Sequence, residues 1–241
     1  DLNDGTGRRS KKDCILPNVL AKSLEKINPN ISREQLQLVI DSLVTDFSDN
    51  DIIDKNYELY NKIRNGVKIN TLHDDVEDFE TVKLIDYENS YNNDFTVVSQ
   101  MWIQGRYYWR RPDLLIFVNG LPLVFIELKN SIIKVKEAYD VNLKNYIKDI
   151  PNLFAFNQIC VLCNGLKTKV GAFNANYDFF FEWLKNSEKE KIDRKYIEDE
   201  GLSVNYLIDG LLKKETLLDY IENFIMFNNQ KIKVIAKNHQ F

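Results

Sequence analysis

The sequence predicts an α/β fold: a central, mostly antiparallel or mixed sheet flanked by helices, with an N-terminal helical part and a C-terminal helix. Three observations carry the prediction. Short apolar runs rich in Val, Ile, Leu and Phe crowd residues 81 to 173. Apolar residues at helical spacing lie on both sides of that region. One long helical pattern interrupts the runs, as a crossover between parallel strands requires.

In chain order, residues 1–12 are polar and basic, with two glycines, and read as a frayed segment or a remnant of a longer start. From Asp13 to Ile27 apolar residues recur at helical spacing, and Ser32 with Gln35 forms a capping box that opens a second helix. A third helix runs from about Asp54 to Gly66. Strands are expected at Thr81–Tyr87, Phe95–Ile103, Arg111–Val118, Leu123–Lys129, Gln158–Cys163 and Lys167–Phe173. A helix over Ile133–Asp149, stopped by Pro151, crosses between the fourth and fifth of them. Tyr177–Asn186 reads as a helix with an aromatic face and Glu188–Glu200 as a hinge or exposed loop. Ile208–Phe227 reads as an amphipathic helix that docks back or leads onward. The chain thus divides into a helical part (1–75), an α/β core (76–186) and a connector (187–241).

With 241 residues, 44% hydrophobic and 28% charged, the chain has ordinary globular usage and length for one substantial core. No apolar run has membrane-span length and no secretory signal precedes Cys14, so a soluble cytoplasmic protein without membrane contact is expected. Three cysteines fit a reducing compartment. Cys160 and Cys163 match CxxC, but they sit in an apolar strand pattern on opposite faces, with no second pair to complete a zinc set. His73 and His239 are the only histidines, which argues against a histidine-based site.

The informative segment runs from Arg111 to Lys129. Asp113 and Glu127, fourteen positions apart, and Lys129 stand among apolar residues. Buried charges are costly unless paired, hydrogen-bonded or bound to a metal. Asp113 and Glu127, with the Leu128 backbone carbonyl and water, would suit the oxygen shell of Mg²⁺ (with Mn²⁺ as a substitute). Lys129 would orient or deprotonate the attacking water, or stabilise charge on a phosphate.

Strand parity tests this arrangement. Glu127 and Lys129 leave the same face of a strand. A two-residue turn at Asn119-Gly120 pairs 118 with 121 and sets Asp113 opposite Ile126, on the wrong face from Glu127. A three-residue loop, or a bulge nearby, restores Asp113 to the position across from Glu127.

Arg111-Pro112-Asp113 followed by Glu127-Leu128-Lys129 resembles the PD-(D/E)xK nuclease motif. The longer string from Phe117 to Asn130 more narrowly resembles the N-terminal nuclease domain of the R subunit of type I restriction endonucleases. The similarity extends through Asn93-Asp94-Phe95, Ile150 to Phe154, Asn164-Gly165 and Ala236 to Phe241. It implies a PD-(D/E)xK nuclease-like core and a Mg²⁺-dependent endonuclease that cuts double-stranded DNA without its own sequence specificity. It also implies methyltransferase and specificity subunits as partners. The ATP-driven motor of that family would lie beyond Phe241, since this chain has no GxxxxGK loop.

In such R subunits the crossover helix often carries a QxxxY motif supporting the site. Here Asn142 stands where the Gln would be, one methylene shorter, and Tyr146 follows one turn later. Tyr146 alternatively packs with Ile147 and Ile150. Asp13 is either an extra acid near the metal, as in related nucleases, or a helix-start acid favoured by the macrodipole. The net charge is -4, yet residues 104 to 170 hold ten Lys/Arg against five acids. Arg110, Arg111, Lys134 and Lys144 are the candidate DNA contacts there; the alternative is a solvated helix face. Against the enzyme stands an inactive module of the same fold, used for docking or structure.

Overall fold

The computed structural model describes residues 2–43, 51–73, 76–187 and 189–241, with backbone alone for 71–73 and 76–78. Glu188 and position 75, each a limit of an expected segment, lie outside the described residues. The architecture is α/β, with a mixed sheet flanked by helices.

Three helices come first: α1 (Pro17–Ile27), α2 (Arg33–Leu43) and α3 (Ile52–Asn65). α1 begins at a proline, whose missing N–H costs nothing in the first turn. The capping box of α2 forms as expected, with Ser32 N donating to Gln35 Oε1 and Gln35 N to Ser32 Oγ. An antiparallel hairpin follows, β1 (Val67–His73) and β2 (Val76–Val82), where the sequence suggested one strand over Thr81–Tyr87.

The remaining strands are β3 (Phe95–Ser99), β4 (Ile103–Gln104), β5 (Trp109–Arg110), β6 (Leu114–Val118), β7 (Leu121–Leu128), β8 (Ile159–Cys163), β9 (Thr168–Gly171) and β10 (Phe181–Glu182). Six of them form the main sheet in the order β10-β9-β8-β7-β6-β3. Only β7 and β8 pair in parallel. The chain between them is the predicted crossover, but it is not one regular helix. α4 (Val135–Glu137) passes into a π segment (Ala138–Leu143), then α5 (Lys144–Asp149) and α6 (Pro151–Phe156), so Pro151 starts a helix as well as ending one. β4 and β5 make a separate two-stranded ribbon, dividing the strand expected over Phe95–Ile103.

Tyr177–Asn186 is a short 3₁₀ turn followed by β10, because Phe181 and Glu182 pair with Val170 and Lys169 at the sheet edge. The expected loop after it contains α7 (Arg194–Asp199). The expected helix over Ile208–Phe227 is broken into α8 (Ser203–Asp209) and α9 (Lys214–Asn223), then β11 (Ile225–Asn228) paired with β12 (Ile232–Ile235). Gly210 interrupts the helical run between them, where a Cβ would meet Asn186 Oδ1 at 2.0 Å. This C-terminal part docks back: Tyr60 of α3 donates to the carbonyls of Ile221 and Ile225. One apolar core runs from Cys14 to Ile235. Among the described residues no helix is long and apolar enough to cross a membrane.

Residues 2–12 are packed rather than frayed. Arg8 is fully buried, and its guanidinium donates to the carbonyls of Asp13 and Trp102 and pairs with Asp4. Glycines and charges suggested disorder there; one buried arginine with a full set of acceptors overrides them.

Candidate active site

The hairpin β6–β7 decides which residues can meet. Its turn is the two-residue Asn119-Gly120, with both φ values positive (51° and 79°) and Val118 paired to Leu121, as a type I′ turn requires. Gly120 is also packed against the start of α1, where Leu16 N donates to its carbonyl and a Cβ would meet the Leu16 carbonyl oxygen at 2.6 Å. The turn alone would misplace Asp113. Between Phe117↔Pro122 and Ile116↔Val124, however, the register shifts by one, leaving Leu123 as the extra residue of a β-bulge. The ladder then continues to Leu114↔Ile126, so the next position sets Asp113 across from Glu127. The bulge is pinned from the residue just before β8, where Gln158 N donates to the Leu123 carbonyl at 2.7 Å.

Asp113 is held on both oxygens. Oδ2 accepts from Leu128 N at 2.8 Å and Oδ1 from the Gln100 side-chain amide at 2.7 Å. Gln100 also donates its backbone N–H to the Asp113 carbonyl from a left-handed conformation (φ 53°). Nothing in the sequence singled out Gln100, which lies in an ordinary strand-like run.

Glu127 is 2% exposed. Its Oε1 accepts from Lys129 Nζ at 2.9 Å, while Oε2 is buried with no hydrogen-bond partner. Burial pushes its carboxyl above the usual carboxylate range, and the nearby Asp113 charge adds to this; Lys129 and the Tyr146 phenol pull it back. The Tyr146 hydroxyl donates to the Arg111 carbonyl at 3.2 Å, and its ring packs edge-on against Phe125. Burial, then the Glu127 and Asp113 charges, push the phenol up. Tyr146 therefore belongs both to the core and to the surroundings of the acids.

Asp113, Glu127, Lys129 and Tyr146 come together, with the Leu128 N–H on Asp113 and the Arg111 carbonyl on Tyr146; among the described residues no hydrogen bond or ion pair joins the side chains of Asn142, Asp13, Arg110, Lys134 or Lys144 to the two acids. Asn142 is half-buried on the π segment, and its side chain makes no hydrogen bond among the described residues. The wider π turn, closed by Lys144 N on Tyr139 O, breaks the regular α spacing expected between Asn142 and Tyr146. The Asp13 side chain accepts from Ser10 N in a local turn before α1. Arg110 is committed to Asp149, with Nε at 2.7 Å and Nη2 at 2.5 Å from Oδ2. Lys144 pairs with Asp140 at 2.9 Å and lies over the Tyr139 ring. Lys134 is exposed at the start of α4, and Arg111 is exposed over Trp102. Cys160 and Cys163 are buried free thiols on β8.

The donor set consists of hard oxygens: two carboxylates and the carbonyl of the half-exposed Leu128. Among the described residues no group of three or more His, Cys, Asp or Glu gathers. An unpartnered, buried carboxylate oxygen beside a second carboxylate is a position that a small divalent cation would satisfy, and the residues present fit Mg²⁺.

An α/β domain with two facing carboxylates and a lysine on a bulged hairpin is the class of protein defined so far. The family model "Type I restriction enzyme R protein N terminus" matches residues 1–179, and the chain belongs to this family. The HindI endonuclease subunit of a type I restriction enzyme from Haemophilus influenzae is 34% identical over 92% of the chain. The MjaIXP protein of Methanocaldococcus jannaschii, provisionally named a type I restriction enzyme endonuclease subunit, is 33% identical over 97% of it. The chain spans 21% and 24% of the lengths of these two relatives.

Proposed function

We propose that this chain is the Mg²⁺-dependent endonuclease domain of a type I restriction enzyme R subunit, of the PD-(D/E)xK kind. It would cleave phosphodiester bonds of double-stranded DNA in the cytoplasm without sequence specificity of its own. The observation that carries this reading is the buried, unpartnered Oε2 of Glu127 beside Asp113 and Lys129, in a chain of this family. Recognition, the methyltransferase and the ATP-dependent motor belong to other subunits or to segments outside this chain.

Asp113, Glu127 and the Leu128 carbonyl would hold Mg²⁺, or Mn²⁺ in its place. When bound, the metal supplies charge neutralisation at the phosphate and a more acidic water. The protein's own residues do the rest. Gln100 and the Leu128 N–H fix the Asp113 carboxylate, so little side-chain freedom remains to be lost on binding. Lys129, anchored on Glu127, holds an ammonium where it can orient the attacking water or stabilise charge on the phosphate. Tyr146 braces the strand that carries Asp113 through the Arg111 carbonyl.

Calorimetric titration with Mn²⁺ tests the assignment. Asp113→Ala and Glu127→Ala are expected to abolish ion binding and, in the assembled enzyme, DNA cleavage. The fold should stay intact, since each change removes a carboxylate that repels its neighbour. Unchanged affinity in both variants overturns the metal assignment, and wild-type chain that takes up no ion favours the inactive docking module.

A further inference from the structure

The ribbon β4–β5 and the N-terminal segment form a surface that the proposed chemistry does not use. Trp102, Tyr107, Tyr108 and Trp109 are 43%, 75%, 58% and 50% exposed, an unusual concentration of large rings on one small element. Each ring except Tyr108 carries a cation: Lys11 Nζ lies 4.7 Å from the Trp109 ring centroid, and the Arg106 and Arg111 guanidinium carbons lie 5.3 Å and 5.2 Å from Tyr107 and Trp102. Arg9 and Lys12 are exposed on the adjoining segment. The acids nearby are already engaged, Asp149 by Arg110 and Asp13 by the Ser10 amide.

This surface is firmly seated. Gln104 N donates to the Lys11 carbonyl, and buried Arg8 bridges Asp13 to Trp102. Gly105 lies so close to the end of α5 that a Cβ would sit 1.7 Å from the Asp149 carbonyl oxygen, which no side chain could tolerate. Three residues beyond β5 the same chain reaches Asp113, and Tyr146 of α5 bonds the intervening Arg111 carbonyl. A ligand on the ribbon would therefore be directed toward the candidate site.

We infer that this face is a stacking platform for DNA with unpaired bases, whose backbone is held by Lys11, Arg106 and Arg111. Rings are sequence-tolerant partners, because every base has a π-face, and cations beside them meet phosphates. Duplex DNA offers its phosphates but hides its base faces, so exposed rings distinguish a separated strand from a paired one. The inference rests on the nuclease reading for its purpose: the strand to be cut would be presented locally opened. As a binding site it stands alone.

The chain itself provides the test. Trp183 is buried, so a change in indole emission on titration reports mainly Trp102 and Trp109. Oligothymidylate of about 20 nucleotides is expected to quench that emission and to bind at least about tenfold more tightly than a duplex of equal length. Tyr107→Ala/Tyr108→Ala, at the exposed ribbon tip, is expected to weaken oligothymidylate binding roughly tenfold or more while leaving Mn²⁺ binding unchanged. Equal affinity for both DNAs, or a double variant that binds as wild type, overturns the platform. Binding to neither DNA also overturns it and leaves the face to a protein partner. A wild-type chain that binds oligothymidylate but takes up no Mn²⁺ would instead remove the nuclease reading and keep the platform.

Discussion

Two lysine clusters, one around buried Lys233 and one around half-buried Lys129, are built on opposite principles. Around Lys233 of β12, the ammonium reaches Asn56 Oδ1 at 3.1 Å, the Asn157 carbonyl at 2.8 Å and Gln158 Oε1 at 2.6 Å. Three donors meet three acceptors and no acid takes part. Burial pushes the proton affinity of this lysine well down, and the three oxygens oppose that by suiting the charged form. Around Lys129 there are two carboxylates, and one buried oxygen of Glu127 goes unpartnered. The first cluster is complete within the protein. The second leaves one buried oxygen unsatisfied, and this is the physical difference between a structural polar cluster and a candidate site.

The clusters are also connected. Asn56 Nδ2 lies 2.8–3.0 Å from the carbonyls of Phe154, Ala155 and Asn157, so it caps the end of α6. Gln158, held by Lys233, donates the N–H that pins the Leu123 bulge, and that bulge brings Asp113 across from Glu127.

If the contrast is right, Lys129→Ala leaves the fold and the ion in place but slows cleavage by the assembled enzyme roughly 10²- to 10⁴-fold, since an ammonium ligates no cation. Cleavage within about threefold of wild type would remove Lys129 from the chemistry. Lys233→Met should behave in the reverse sense. It strands three buried acceptors and is expected to destabilise the chain by about 3 kcal/mol or more in urea denaturation. A variant as stable as wild type would show that the completed cluster holds nothing together.

Glu127→Gln sharpens the difference at smaller scale. Without metal, the raised carboxyl means that the folded chain binds this proton more readily than the unfolded chain. Stability is therefore lost as pH rises from the ordinary glutamate range through the raised value. The Gln variant should lack this pH dependence and gain on wild type as pH rises, as denaturation at several pH values would reveal. Mn²⁺ affinity of the wild type should run the other way, falling with acidification at a midpoint above the ordinary carboxylate range. Tyr146→Phe is the mildest change: stability within about 1 kcal/mol, because the ring keeps its contact with Phe125, and reduced cleavage with motor ATP hydrolysis intact. Normal cleavage by this variant would make Tyr146 a core residue only.

Much of this was legible in the sequence because the strongest signals are local. The capping box at Ser32, the Asn119-Gly120 turn, the apolar strands around Glu127 and the crossover helix each depend on neighbouring residues. Parity reasoning even required a bulge or an odd loop, and the bulge at Leu123 is there. What stayed hidden depends on distant partners. Arg8 and Lys233 look like surface charges until their acceptors arrive from Trp102 and Gln158. Gln100 reads as any polar strand residue, and its bond to Asp113 spans a bend that no spacing rule describes. The C-terminal helix was divided by Gly210 and by the pairing of β11 with β12, a tertiary preference that outweighs helical periodicity.

The two-residue turn and the single extra residue at Leu123 act together like a check digit. Lengthening or shortening the chain between Phe117 and Val124 by one residue would send every side chain from Arg111 to Leu115 to the opposite face, unless the bulge were gained or lost at the same time. Length changes in this hairpin must therefore come in pairs. A homologue or engineered variant with one residue more at the turn should be sought with the bulge gone, and a graft of this site onto another scaffold has to carry both features or neither.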